Sequence, residues 1–327
     1  MDTSSLTCHF APVFSKANKH KSPQTPTQAE GFPALPAEWV VEFETIPLEK
    51  GHLFAHLFRA DSPAASAGRE HIAAIVLHGQ GEHSGRYLHL AHYLKDVVSS
   101  IYAIDHRGHG QSSGNRGHID SFDEYAEDAV LAIKRYARYL KERYGKAEIH
   151  LIGHSMGGLI ALRALQLHPE LELASISVTA PMIELAFKVP AIKLLAAKLL
   201  YKTLPALSIP GEPLGDLVSR DPAVVKHYKT DPLNHGLASS AFFITYLAAK
   251  EKLKAAAGSL TQPIHFQLPT DDRIIAHQPT VDFFESVGSK DKKKIIYQGL
   301  YHEVLNEPEK PKVIEDLKQW IKAHSGK

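Results

Sequence analysis

The chain has one cysteine, Cys8, in 327 residues, so no disulfide can form within it; this fits a reducing compartment and also many exported proteins. It has little excess of charge of either sign. The 37 lysines and arginines stand against 36 acidic residues, and no net field argues for nucleic acid or another strongly anionic partner. No apolar run approaches the roughly 18 residues of a membrane span, and the start, MDTSSLTCHF, lacks the basic and then apolar regions of a signal peptide. Histidine is abundant at 21, yet no pair shows the HExxH spacing of a zinc site, and neither metal nor cofactor is expected. A soluble, cytoplasmic protein is the expectation. Its length suits one large α/β domain with an insertion, or two small domains.

Residues 1–37 are polar and proline-rich, with a small basic group at Lys16, Lys19 and Lys21, and show neither helical nor strand periodicity. They read as a flexible arm, solvated or touching a membrane or partner through its lysines. From Trp39 the pattern is β-type. Trp39 to Ile46 and His52 to Arg59 flank the turn Glu49-Lys50-Gly51 as an antiparallel pair. Ile72 to Leu77 is a continuous apolar run suited to a buried strand. A helix is predicted over Tyr87 to Val98, a strand over Ile101 to Ile104 and a long helix over Phe122 to Tyr144. Strands alternating with helices at this spacing imply a mostly parallel sheet flanked by helices.

The segment Lys146 to His168, KAEIHLIGHSMGGLIALRALQLH, joins a short apolar strand to a helix through Gly153-His154-Ser155-Met156-Gly157. In a G-x-S-x-G turn this sharp, side chains two residues from the serine would clash, so glycine is required there. The serine hydroxyl is exposed, and the free N–H groups of the following helix favour an oxyanion beside it. This is the nucleophile elbow of the α/β-hydrolase fold, and it calls for an acid and then a histidine further along the chain.

The acid is expected just past the strand Ile264 to Leu268, where Asp271 and Asp272 are adjacent. The histidine is expected after the last strand, Lys294 to Gln298. There His302 stands, whereas His277 begins a helix and His324 lies near the C-terminus. Ser155 would then attack an ester carbonyl, with His302 as base and then acid and the carboxylate holding its tautomer. His78, His83, His106, His109 and His118 read as groups that shape loops, and His154 as structural.

The loops HGQGEHSGRY (78–87) and DHRGHGQS (105–112), followed by Arg116-Gly117-His118 and GHSMGG, resemble the monoacylglycerol lipase and lysophospholipase group of serine hydrolases over roughly residues 39–325. The resemblance implies an α/β-hydrolase core over 38–181 and 259–327 and a helical cap, or lid, inserted over 182–258. It places the second oxyanion N–H on Gln80 beside that of Met156, and its D-R pattern prefers Asp272 over Asp271. Glu82, Arg86 and Tyr228 become candidate contacts for the substrate's polar head, although Glu82 and Arg86 read equally as an ion pair. Where many such lipases carry a second histidine three residues after the catalytic one, this chain has Leu305, which weakens the glycerol-side inference.

Within the cap, Ala186 to Leu200 is rich in Leu and Ala and punctuated by lysines. It either packs on its own domain or makes transient contact with a membrane surface, leaving the protein peripheral to it. The implied substrate is a single-chain lipid ester. Lysophospholipase or broad carboxylesterase activity, peptidase or acyltransferase chemistry on the same triad, and lipid binding without catalysis stand as alternatives.

Overall fold

The structure, a computed structural model, describes residues 14–16, 26 and 28–326. Its strands in chain order are β1 (Ser15–Lys16), β2 (Trp39–Pro47), β3 (His52–Ala60), β4 (Ile72–Leu77), β5 (Ser100–Asp105), β6 (Glu148–His154), β7 (Ser175–Thr179), β8 (Ser208–Pro210), β9 (Leu237–Ser239), β10 (Ile264–Pro269) and β11 (Lys292–Tyr297). The helices are α1 (Pro63–Ser66), α2 (Leu90–Leu94), α3 (Phe122–Tyr144), α4 (Met156–Leu167), α5 (Ala191–Thr203), α6 (Pro222–Thr230), α7 (Ser240–Ala255), α8 (His277–Ser286) and α9 (Lys310–Ala323).

Nine strands form one sheet in the order β1-β2-β3-β5-β4-β6-β7-β10-β11. Pairing is antiparallel from β1 through β3 to β5 and parallel from there to β11. β4 and β5 are buried at every position, as strands covered by helices on both faces must be. One apolar core gathers β-sheet residues with Phe122, Tyr125 and Ile133 of α3, Leu159 of α4 and Phe242, Tyr246 and Leu253 of α7. The other lies under α2 and α9, around Leu90, Leu94, Val313 and Leu317. Helix α3 shows why such a segment is helical: its buried residues recur at three- and four-residue intervals, Glu124 accepts the Ser121 N–H at 3.1 Å, and Gly145 ends it in the left-handed region.

The chain steps from β4 to β5 on one side and then crosses to β6 on the other. The loops after β4 and β6 therefore open onto one crevice at the carboxyl ends of the strands, where sheets of this kind hold their ligands.

Some elements differ from the sequence reading. The helix predicted over 87–98 is a 3-10 turn at Ser84–Tyr87 followed by the five residues of α2. Of the arm expected over 1–37, the described parts lie on the core: Phe14 packs edge-on to Tyr102, Tyr136 and Tyr139, β1 extends the sheet along β2, and Phe32 meets His89 and Lys310. Lys19, Lys21 and Cys8 lie outside the described residues. The insertion expected over 182–258 ends in α7, which belongs to the main core, while α5 buries no residue at all. Helix α5 starts at Ala191 because Pro190, extended at its N-cap, holds the residue before it out of the helical region. The insertion also contains strands, the antiparallel pair β8 and β9.

Candidate active site

Ser155 sits between β6 and α4 with φ 51° and ψ −114°, a conformation that costs a non-glycine residue about 1–3 kcal/mol. Its neighbours hold it there. The Ser155 N–H donates to Thr179 O at 2.9 Å, and its carbonyl accepts from Gly158, Leu159 and Met182. A Cβ on Gly157 would lie 2.0 Å from Leu77 O, so only glycine lets the turn press against the end of β4.

The loop after β4 passes equally close. A Cβ on Gly79 would meet Ser155 Cβ at 3.3 Å and Glu82 Oε1 at 2.9 Å. The N–H groups of Gln80 and Met156 have no acceptor among the described residues. Met156 begins α4, so its N–H carries the partial positive charge of a helix N-terminus.

His302, in the loop after β11, donates from Nδ1 to Asp272 Oδ2 at 2.7 Å, with both side chains nearly shut off from solvent. The other oxygen of Asp272 accepts the N–H groups of Ile274 and Ile275 at 2.8 and 2.9 Å. Asp272 is thereby aimed at the imidazole, while its neighbour Asp271 instead accepts from the Thr270 hydroxyl in an exposed turn. The His302 ring lies 4.8 Å from that of His154, the residue before Ser155, so serine, histidine and acid occupy one corner of the crevice. Burial opposes the imidazolium of His302, but the charge and hydrogen bond of Asp272, with Glu303 and Glu82 nearby, hold its pKa above the ordinary value.

Glu82, Arg86 and Tyr228 meet one another. Arg86 gives both terminal nitrogens to Glu303 at 2.8 Å, and its Nη1 also donates to Glu82 Oε2. Glu82 Oε1 accepts the Gly79 N–H at 2.6 Å and the Tyr87 hydroxyl at 2.8 Å. The ring of Tyr228 covers the guanidinium at 5.0 Å. Glu82 and Arg86 thus form the ion pair that the sequence reading gives as the alternative to direct contact with a polar head. Glu303 and its donor Asn306 are not singled out by the sequence reading; the available signal is an acid directly after His302.

The loop histidines make turn-shaping bonds: His78 accepts the His106 N–H at 3.0 Å, and His83 joins Asp231 at 3.0 Å while accepting the Gly85 N–H. His154 bonds Thr179 Oγ1 at 2.9 Å. The segment 231–239 touches the loop after β4 directly, since the His235 N–H donates to Gly81 O and the Gln80 side chain donates to Leu237 O. Among the described residues no group of His, Cys, Asp and Glu is disposed to hold a metal ion, and no helix is long and apolar enough to cross a membrane.

A parallel sheet with a strained serine elbow at its crevice defines an α/β-hydrolase. The profile of the serine aminopeptidase S33 family matches residues 69–309. The chain is 34% identical to the monoacylglycerol lipase of Mycolicibacterium smegmatis over 254 residues, 76% of this chain and 88% of that one. It is 32% identical to the rat monoglyceride lipase over 249 residues, 75% of this chain and 80% of that one. The crystal structure of Paleococcus ferrophilus monoacylglycerol lipase superposes with a TM-score of 0.71 at 30% identity, covering 79% of this chain and 96% of that one. The chain belongs to the serine aminopeptidase S33 family and is a carboxylic ester hydrolase of the α/β-hydrolase fold.

Proposed function

We propose that the protein hydrolyses monoacylglycerols through a covalent acyl-enzyme. Ser155 Oγ attacks the ester carbonyl while His302 Nε2 takes its proton, and the N–H groups of Gln80 and Met156 receive the oxyanion. His302 returns the proton to the departing glycerol oxygen. Water then repeats the sequence, releasing the fatty acid and restoring Ser155. Asp272 holds the imidazole with Nδ1 protonated, so that Nε2 is the free base. The observation that carries the reading is the 2.7 Å bond from His302 to Asp272 beside the elbow of Ser155.

An uncharged head is favoured over a phosphate. The guanidinium of Arg86 is already divided between two carboxylates, so the surplus charge of that cluster is negative and repels an anionic head. The cap adds an acyl-side argument. Ile192, Leu195 and Leu199 of α5 are each more than 60% exposed, and such a face suits transient contact with a lipid surface from which a single-chain substrate is drawn.

The test is release of fatty acid from monoolein beside lysophosphatidylcholine and an aminoacyl arylamide, with Ser155→Ala as control. Turnover of monoolein that is lost with Ser155→Ala supports the reading. Preferred arylamide cleavage moves it to a peptidase, and failure of a fluorophosphonate to label Ser155 moves it to lipid binding without catalysis.

A further inference from the structure

Acyl transfer at Ser155 needs two loops at a fixed separation: the one after β4, which carries the N–H of Gln80, and the one after β11, which carries His302. A buried ion cluster spans the gap. Glu303 follows His302 directly in the chain and is held by both terminal nitrogens of Arg86 and by Asn306 Nδ2 at 2.7 Å. Arg86 passes the connection to Glu82, and Glu82 Oε1 takes the Gly79 N–H, one residue before Gln80, at 2.6 Å. The side chains of Arg86, Glu82 and Glu303 are each at most 4% exposed, so solvent does not screen them.

The geometry leaves the loop no slack. At Gly79 the backbone runs close between the Glu82 carboxylate and Ser155, where an added methyl group would lie 2.9 Å from Oε1 and 3.3 Å from Cβ. Moving the carboxylate moves the peptide that presents the Gln80 N–H. A cluster that served only to hold the fold together is an expensive choice, because two acids and one arginine leave a buried surplus charge that apolar side chains would avoid. Arginine is required because one planar fork reaches Glu303 with two parallel bonds and still meets Glu82, which an ammonium cannot do.

We propose that Glu303, Arg86 and Glu82 act as one set of positioning residues for the hydrolytic step, tying the loop of His302 to the loop of Gln80. This rests on the Ser155, His302 and Asp272 reading given above.

The experiment measures kcat and KM for a soluble short-chain ester on the full chain carrying Glu303→Gln, Glu82→Gln, the double substitution, Arg86→Lys and Ser155→Ala. Each rate is normalised to protein folded by circular dichroism. Misplacement of a reacting group by about 1 Å can cost about 100-fold in rate, so each single glutamine variant is expected to lose about 10- to 100-fold in kcat with KM within about twofold of wild type. Because the three act through one guanidinium, the double variant is expected to be no slower than the slower single one. Arg86→Lys is expected not to restore the rate.

Unchanged kcat with only a lower melting temperature overturns the proposal, as do losses that multiply in the double variant. If Glu303→Gln does not fold, Tyr87→Phe removes one hydrogen bond from Glu82 and leaves every buried charge in place. A fall in its kcat at constant KM supports the proposal, and an unchanged kcat overturns it. Failure of the catalytic reading looks different, since turnover would then survive Ser155→Ala.

Discussion

The rings of His302 and His154 lie 4.8 Å apart, and their surroundings shift their pKa values in opposite directions. Burial, with the neighbouring His302 adding to it, lowers His154 to about 4, so it stays neutral; Asp272 overcomes the burial of His302 and raises it. The base of the reaction must be neutral, so kcat/KM for a soluble ester is expected to fall as pH drops through a midpoint above about 6.5, the unperturbed value for histidine. Asp272→Asn removes the charge that raises His302. It should move that midpoint down and lower kcat by about 10⁴-fold, since the imidazole is then offered in the wrong tautomer. A wild-type midpoint below 6.5 would count against His302 as the base.

Ser155 holds its positive φ only because Thr179, Met182 and α4 bond its backbone. Ser155→Ala keeps a Cβ and therefore keeps the strain, so its melting temperature is expected to match wild type while ester hydrolysis disappears. Ser155→Gly also abolishes hydrolysis but relieves the strain. It should raise unfolding stability by about 1 kcal/mol, read as a shift in denaturant midpoint at unchanged slope. Equal stability of the two variants would show that the serine backbone stores no such energy.

Much of this site was legible in the sequence because its parts are local. Ser155 is marked by the glycines that its own turn requires and His302 by the end of the last strand, while the end of the strand Ile264 to Leu268 leaves Asp271 and Asp272 side by side and only the D-R pattern of the family resemblance chooses Asp272. What the sequence withheld was contact between distant segments. That Arg86 is shared between Glu82 and Glu303, 217 residues beyond it, follows from the crossing of the chain at β4, and no spacing rule encodes it. The apolar pattern over-predicts the length of α2 for a related reason. The apolar residues from Tyr87 onward fit a helical period, but they also serve a 3-10 turn whose N-cap histidine, His83, bends the chain. The small pair β8 and β9 escaped because three-residue strands in a proline- and glycine-rich loop leave no period to count.

If α5 touches lipid, its exposed leucines carry the contact. Leu195 and Leu199 are 64% and 63% exposed and lie one helical turn apart on the same face. Replacing both with glutamate forfeits their transfer into the bilayer, worth about 1.5–3 kcal/mol for each side chain fully buried there. Hydrolysis of monoolein presented in phosphatidylcholine vesicles should fall at least about tenfold, with kcat and KM for a dissolved short-chain ester unchanged. Equal losses on both substrates would mean that α5 acts on the core rather than on the lipid.

The buried histidines predict how the fold responds to acid. Burial holds His106, His150 and His154 near 4 and His89 and His265 near 3, so each binds its proton far more weakly folded than unfolded. A depressed histidine contributes stability that is complete above about pH 6.5 and is lost as pH falls from there toward its folded pKa, at up to about 1.4 kcal/mol per pH unit for each group. His302, raised rather than lowered, works in the opposite sense and in another window: its contribution is complete below about pH 6.5 and is lost as pH rises through its folded pKa. The denaturant midpoint should therefore drop steeply as pH falls between about 6.5 and 5, before most carboxylates titrate. His265 gives the sharpest check. It is fully buried, stacks on Trp320 at 5.3 Å, and has no hydrogen-bond partner on either ring nitrogen among the described residues. His265→Phe keeps the stacking and removes the titrating group, so it should stabilise the protein at pH 7 and reduce the number of protons taken up on unfolding near pH 5.5 by about one. A slope identical to wild type would show that His265 is not among the groups that make the fold acid-sensitive.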